Sequence, residues 1–327
     1  MAAIELELGP VDRYHQVAVV GAGVIGVSWA ALFLAHGLRV TICDPRPDIE
    51  RRVRAGLREI APTLAQLDLP VGSLGDNSAA LRFDPVVATA VATADVVQEN
   101  GPEQLAVKQQ LWAEIERGAS PEAVLASSSS SIPASAMGES MREPARLVIG
   151  HPFNPPHLVP LVEVVPVKGA DAAVVERAVA FYRAVGKRPQ VLAHEIPGFV
   201  ANRLQAALFR EAVYLVAQGV VTEQELDEVV TSSVGLRWAV AGPFQTFHLG
   251  GGPGGLSEFL VHLGPALVAL WSQLGAPSLD DPTTELLAAQ AAHFDGTVAE
   301  LAQRRDEAQI RLLRALGGTP SDATPGP

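Results

Sequence analysis

The stretch Gly21-Ala22-Gly23-Val24-Ile25-Gly26 constrains the fold of this chain more than any other. It follows directly on the β-rich run 15–20 and precedes a helical run, 28–36, that Gly37 closes. A second β-rich run, 38–43, ends at Asp44, 18 positions past Gly26. Three glycines in this spacing between strand and helix, with an acidic residue about 20 positions on, mark a parallel βαβ unit that holds a dinucleotide. Gly21 permits the tight turn, Gly23 lets backbone approach a diphosphate, and Gly26 lets the helix lie close on the strand. The N-terminus of the helix that follows offers free N–H groups and a positive dipole end to the phosphates, and Val24 and Ile25 between the glycines are further cofactor-binding candidates. Asp44 is placed to accept hydrogen bonds from ribose hydroxyls, which favours NAD over NADP. Arg46 could contact a 2′-phosphate, so both cofactors stay open at this point. The hexapeptide alone could be a glycine-rich turn without a ligand; the flanking strand, helix and Asp44 weigh against that.

The alternation of strand and helix continues. Residues 47–66 read as a helix carrying Arg51, Arg52, Arg54 and Arg58, either a solvated face or a weak anion patch. Residues 86–93 are a strand or a short helix, and 95–100 a strand ending in polar residues. Glu103 and Lys108 open the next helix. Ligands of such sheets bind at the carboxyl ends of the strands, so both are cofactor candidates as well as ordinary surface charges. The apolar run 123–126 leads into five serines, 127–131. No G-x-S-x-G elbow accompanies them, which argues against a serine nucleophile. The tract reads as a strand-end loop.

The strand 146–149 delivers His151 at its carboxyl end, within the proline-stiffened Gly150-His151-Pro152-Phe153-Asn154-Pro155-Pro156. Glu163 stands twelve residues later in the apolar run 158–165 and is the only charge between His157 and Lys168. Alternation puts Leu161, Glu163 and Val165 on one face. A buried carboxylate needs a partner, and an imidazole held by a carboxylate is a natural general base. The alternative is a loop histidine and an edge-strand glutamate facing water, but a solvated edge carries more polar residues than this run.

Residues 172–185 read as a helix and 189–193 as a last short strand, with Ile196-Pro197-Gly198 as a hinge. Beyond Phe199 the pattern is helical. Thr222 and Glu225 form a capping box; 235–238 and 242–244 read as loops, 250–255 as a turn, and 256–274 and 283–317 as helices. At 327 residues the chain exceeds the roughly 250–300 at which one core stops growing. The expectation is an α/β fold: an N-terminal Rossmann-like doubly wound sheet, 1–195, then an all-α C-terminal domain, 196–317, and a disordered tail, 318–327. Few aromatics, 5%, predict a largely aliphatic core.

A net charge of −12 without a basic block argues against nucleic-acid and anionic-membrane partners. Cys43 is the only cysteine, which excludes an intramolecular disulfide and a multi-cysteine zinc site and fits a reducing compartment. No signal-peptide pattern opens the chain and no apolar run reaches about 18 residues. A cytoplasmic location and no metal site are expected.

Taken together, these motifs resemble the 3-hydroxyacyl-CoA dehydrogenase family over nearly the whole chain. The markers are the glycine hexapeptide, Ser130-Ser131, His151-Pro152-Phe153-Asn154-Pro155, Leu161-Val162-Glu163-Val164, and Pro197-Gly198-Phe199-Val200-Ala201-Asn202-Arg203-Leu204. The resemblance implies His151 as catalytic base and Glu163 as the carboxylate that orients it. It implies Ser130 and Asn202 on the substrate oxygen, Glu103, Lys108 and Asn154 on the nicotinamide half of NAD, and a homodimer. Within the family the chain is similar to lambda-crystallin, the L-gulonate 3-dehydrogenase branch, in Gly26-Val27-Ser28-Trp29-Ala30, Pro160-Leu161-Val162-Glu163, Gly235-Leu236-Arg237 and Thr246-Phe247-His248-Leu249. The expected activity is NAD-dependent oxidation of the 3-hydroxyl of a small, L-gulonate-like hydroxy acid. Arg237 would meet its free carboxylate; a surface or interface arginine is the other reading. CoA phosphates want Lys or Arg, yet Arg82 is the only basic residue in 59–107. Three alternatives stay open. One is a 3-hydroxybutyryl-CoA dehydrogenase. Another is an L-carnitine dehydrogenase, with Trp238 and Phe244 in an aromatic box. The third is a non-catalytic NAD(H)-binding structural protein, which has no need for the Ser130, His151, Glu163 and Asn202 set.

Overall fold

The computed structural model describes residues 14–75 and 78–316. Strand and helix alternate through β1 (Gln16–Val20), α1 (Val24–Ala35), β2 (Arg39–Cys43), α2 (Ile49–Gln66), β3 (Leu81–Phe83) and α3 (Val87–Val91). The pattern goes on with β4 (Val96–Glu99), α4 (Leu105–Gly118), β5 (Val124–Ser127), α5 (Ala134–Met137) and β6 (Leu147–Pro152). Then come β7 (Leu161–Pro166), α6 (Ala172–Ala184) and β8 (Arg188–Val191). The eight strands make one sheet in the order β3-β2-β1-β4-β5-β6-β7-β8. Neighbours run parallel except β6 and β7. The strand order reverses between β1 and β4, which opens a crevice at their carboxyl ends. Two details differ from the sequence reading. The three-residue β3, with Arg82 exposed at its centre, is too short to leave a periodic signal, and the ambiguous 86–93 resolves as the short α3.

Helix α1 is apolar all round and buried from Gly26 to Ala35, as expected of a helix enclosed by the core. Its Trp29 stacks on Phe33 at 5.2 Å between ring centroids, and Tyr14, Phe181 and Tyr182 complete an aromatic cluster on that face of the sheet. The expected aliphatic core is thus only part of the interior: five aromatics gather in this cluster, and Trp112 and Phe199 are buried in a second one.

Two buried polar contacts tie the turn that follows β6 to this core. Ser28 Oγ, inside α1, accepts from the His157 N–H at 2.9 Å and lies 2.8 Å from His157 Nδ1. Lys187, between α6 and β8, donates its ammonium to the carbonyls of Pro156 and Val159 and sits 5.5 Å from the Trp29 ring centroid. Burial pushes the Lys187 pKa down to about 7. The unfolded chain holds that proton up to the ordinary lysine value, so it binds more protons than the folded chain between pH 7 and that value. Stability therefore rises with pH across this window, by up to about 1.4 kcal/mol per unit from this one group. Urea unfolding at pH 7 and pH 9 should show the parent gaining stability relative to Lys187→Met over this interval. A constant difference would mean the folded-state pKa is not lowered.

The chain divides at Phe199 and Val200 into two compact units. The second unit, Val200–Ala302, is helical: α7 (Ala201–Ala217), α8 (Glu223–Ser232), α9 (Val234–Val240), α10 (Pro243–Gly250), α11 (Gly255–Trp271) and α12 (Asp281–Ala291). The Thr222 and Glu225 capping box is present. The loops expected at 235–238 and 242–244 are instead α9 and the start of α10. Gly242 and Pro243 act there as N-cap and first helical residue, a start signal mistaken for a break. The last helix, α13 (Val298–Ala315), does not stay with the second unit. From Gln303 on it belongs with the first, where Ile310 packs with Leu67 and Leu158 and Arg314 donates to the Gln66 carbonyl. An amphipathic pattern shows that a helix is half-buried but not against what, so the expected boundary at 196–317 missed this return. The tail 318–327 lies outside the described residues. The stretch Gly252–Trp271 is long and apolar enough to cross a membrane by length and composition alone. Glu258 and His262 interrupt it, so no uninterrupted apolar run marks it in the sequence.

Candidate active site

The carboxyl ends of β1, β2, β4, β5 and β6 carry nearly every residue the sequence singled out. Gly21 has φ +86°, and a Cβ there would lie 2.7 Å from the Asn100 carbonyl oxygen. A Cβ on Gly26 would overlap the Gly21 carbonyl, so neither position accepts a side chain. A Cβ on Gly23 would meet nothing within 4 Å: the space before it is open. The N-terminus of α1 has no side-chain cap and no acidic residue in its first turn. Open space, uncapped N–H groups and a positive dipole end fit a diphosphate.

Asp44 is buried at the end of β2, and its Oδ2 accepts from the Ala22 N–H at 2.9 Å. Arg46 grips the same carboxylate with Nε at 2.8 Å and a terminal nitrogen at 2.7 Å. Burial alone would raise the Asp44 pKa, but the bonds from Arg46 and Ala22 outweigh it and hold the carboxyl below its ordinary value. The Arg46 guanidinium is committed to Asp44, so the cation that could have favoured a 2′-phosphate serves the residue that favours ribose hydroxyls.

His151 and Glu163 face each other directly across the antiparallel pair β6 and β7. His151 Nδ1 lies 2.9 Å from Glu163 Oε2, and both side chains are buried. Twelve residues of separation place them side by side because the chain turns back on itself; the Asn154–Pro155 peptide in that turn is cis. The rings of Phe153 and Phe199 stand 5.3 Å from the imidazole. Phe199 holds a left-handed backbone, φ +51°, with its ring buried. With Nδ1–H donated to the carboxylate, the free lone pair is on Nε2. Nε2 has no hydrogen-bond partner among the described residues. A base nitrogen backed by a carboxylate and left open at a strand end can accept a proton.

The serine tract is largely spent on scaffold. Ser127 Oγ donates to Glu99 at 2.5 Å, Ser128 Oγ to Asn100 Oδ1 at 2.7 Å, and Ser129 Oγ and Ser131 Oγ to Glu103 Oε1 at 2.7 and 2.8 Å. Ser130 Oγ alone of the five makes no hydrogen bond among the described residues. Lys108 is fully buried, with Nζ 2.8 and 3.0 Å from the two Glu99 oxygens and 3.4 Å from Glu103 Oε2. Asn154, three residues after His151, is exposed, and its amide makes no hydrogen bond among the described residues. In the second unit, Asn202 lies in the first turn of α7, and Arg237, on α9 rather than in a loop, is exposed without an ion-pair partner among the described residues.

Sequence comparison bears on what these residues form. Residues 16–196 match the NAD-binding domain of 3-hydroxyacyl-CoA dehydrogenases, and 198–272 match the C-terminal domain. The chain belongs to the 3-hydroxyacyl-CoA dehydrogenase family. It is accordingly an NAD-dependent oxidoreductase of the 3-hydroxy acid type. An L-carnitine dehydrogenase of Streptomyces coelicolor is 44% identical over 310 residues, 94% of this chain and 96% of the relative. A 3-hydroxyacyl-CoA dehydrogenase of Gibberella moniliformis is 41% identical over 96% of this chain and 98% of its own. Among solved structures, 5-formyl-3-hydroxy-2-methylpyridine 4-carboxylic acid 5-dehydrogenase, an NAD+-dependent dismutase, superposes with TM-score 0.78 at 28% identity. That match spans 93% of this chain and 99% of the other. These names favour the carnitine alternative over the L-gulonate branch that the shorter motifs resemble.

One buried acidic residue, Glu99, was passed over in the sequence. Glu99 ends β4 fully buried and accepts from Lys108, Ser127 and the Gly101 N–H at 2.5 Å. The signal that singled out Glu163, a lone charge inside an apolar run, was absent here: Asp95, Gln98 and Asn100 stand close by, and the strand end read as merely polar.

Proposed function

We propose that this dehydrogenase oxidises the 3-hydroxyl of a small, free 3-hydroxy acid, L-carnitine foremost, to the 3-keto acid. The observation that carries the reading is the near full-length likeness, at 44% identity, to an L-carnitine dehydrogenase. NAD, when bound, supplies the hydride acceptor. His151 Nε2 takes the hydroxyl proton while the hydrogen on C3 leaves with its electron pair, so the alcohol becomes a ketone and the proton passes to solvent. Glu163 keeps the imidazole in the tautomer that presents Nε2 and stabilises the imidazolium. Ser130 and Asn202 donate to the oxygen as it becomes a carbonyl. Glu103 and Asn154 would hold the nicotinamide half of the cofactor, and Lys108 would act from behind through Glu103. Support comes from what is left unengaged: Nε2 of His151 and the side chains of Ser130, Asn154, Asn202 and Arg237 are all polar groups without a partner among the described residues.

Arg237 would pair with the substrate carboxylate, and the exposed Trp238 and Phe244 would box the trimethylammonium. A CoA thioester is disfavoured by charge. Arg51 and Arg52 share the Asp48 carboxylate and Arg54 is bonded to Glu50, so three of the four arginines Arg51 to Arg58 are engaged by neighbours in their own segment. The second unit exposes Phe209, Val261 and Trp271 at 58%, 71% and 64% among many apolar neighbours. Surface of that kind marks an interface, and a cytoplasmic homodimer is the assembly proposed.

Reduction of NAD with L-carnitine, 3-hydroxybutyrate, L-gulonate and 3-hydroxybutyryl-CoA tests the substrate. The expected order places L-carnitine first, at least about tenfold above 3-hydroxybutyrate in kcat/KM, the discrimination a desolvated cation–π contact supplies. A CoA thioester turned over best would sink the reading.

A further inference from the structure

Three consecutive backbone N–H groups in the serine loop point at one atom. Those of Ser130, Ser131 and Ile132 lie 3.1, 3.0 and 3.4 Å from Glu103 Oε1. The Ser129 and Ser131 hydroxyls reach the same oxygen. Successive N–H groups turned to one side form an anion-binding concavity, and here a carboxylate from the start of α4 fills it. Burial would raise the Glu103 pKa, but the bonds from Ser129 and Ser131 and the charge of Lys108 outweigh it, and the pKa falls to about 2. Glu103 is therefore charged at any working pH, and five donors depend on that charge. Its other oxygen, Oε2, faces Lys108, which Glu99 holds in turn; Glu99 also holds Ser127. Two carboxylates and one lysine thus pin both ends of the loop. The serine between the pinned points, Ser130, is the one whose hydroxyl stays open.

We propose that Glu103 is a positioning residue for Ser130: by filling the nest it fixes the loop backbone and aims the one unengaged hydroxyl at the substrate oxygen. This goes beyond a contact with the cofactor and rests on Ser130 acting on the substrate oxygen. The two roles are compatible, because Oε1 serves the loop and leaves Oε2 toward Lys108 and solvent. Loss of the carboxylate strands three amide donors, and a loop displaced by about 1 Å costs roughly 10²-fold in turnover.

The test is a double-mutant cycle read as kcat and as NADH affinity. Glu103→Ala should lower kcat about 10²-fold, a larger effect than the loss of NADH affinity that follows from its place beside the cofactor. Glu103→Gln keeps an acceptor oxygen and should recover kcat to within about tenfold of the parent. Ser131→Ala removes one donor without touching Glu103 and should cost about threefold to tenfold in kcat with NADH affinity unchanged. In a Ser130→Ala background, Glu103→Ala should add little further loss. If Glu103→Ala instead multiplies the Ser130→Ala loss in full, or raises KM for NAD while leaving kcat alone, Glu103 does not act through Ser130 and the inference is overturned. If Ser130→Ala itself leaves kcat unchanged, the assignment of Ser130 to the substrate oxygen has failed, and this inference fails with it for a reason the cycle identifies.

Discussion

His151→Ala should lower turnover by about 10³-fold while leaving NADH affinity within a few-fold of the parent. The size follows from the geometry. His151 Nε2 is the open nitrogen of a buried imidazole whose Nδ1 is bonded to Glu163 at 2.9 Å. The diphosphate cradle lies elsewhere, at Gly21 and the start of α1, so removing the imidazole takes away the proton acceptor and not the cofactor site. Glu163→Gln gives a smaller loss. Its amide still lies opposite His151 in the β6–β7 pair, but it no longer carries the charge that stabilises an imidazolium. Steady-state kcat and fluorescence titration with NADH separate the two effects. A variant that loses NADH binding as steeply as turnover would mean His151 supports the fold of the site and not the chemistry.

Gly26→Ala has the second large effect, and it differs in kind from Gly23→Ala. A methyl on Gly26 overlaps the Gly21 carbonyl, which is backbone and cannot swing aside. Helix α1 must then lift from the turn, which costs about 1–3 kcal/mol of overpacking and spoils the cradle, with about 10–100-fold loss of NADH affinity. Gly23 faces open space, so Gly23→Ala should leave thermal stability unchanged and weaken NADH alone. Melting curves with and without NADH tell the two apart. Equal melting temperatures for Gly26→Ala and the parent would show that the close helix–strand approach does not carry stability here.

Much of this site could be read before any coordinates, for definite reasons. The glycine hexapeptide carries its own geometry, since each glycine answers a steric demand. Glu163 was conspicuous as a lone charge in an apolar strand, and the structure pairs it with His151. Other features lay outside what local pattern encodes. The antiparallel placement of β7 is a fact of pairing, not of any one strand, and it is what brings residues 151 and 163 face to face. The return of α13 to Leu67 and Leu158 is a tertiary contact that an amphipathic pattern leaves undirected. Short elements such as β3 and α9 fall below the length at which periodicity speaks. Glu99 was hidden by polar neighbours, although it anchors Lys108 and Ser127. The choice between a gulonate-like and a carnitine-like acid was beyond the motifs, because the roles proposed for His151, Glu163, Ser130 and Asn202 concern the hydroxyl that both acids share.

The most direct test of the central claim follows the hydrogen on C3. L-Carnitine deuterated at that carbon, incubated with the purified protein and NAD, should give reduced cofactor carrying the deuterium, formed about 10³-fold more slowly by His151→Ala. Reduced cofactor without deuterium, or no reduction of NAD by a protein that still binds NADH, would contradict hydride transfer from the 3-position with His151 as the base.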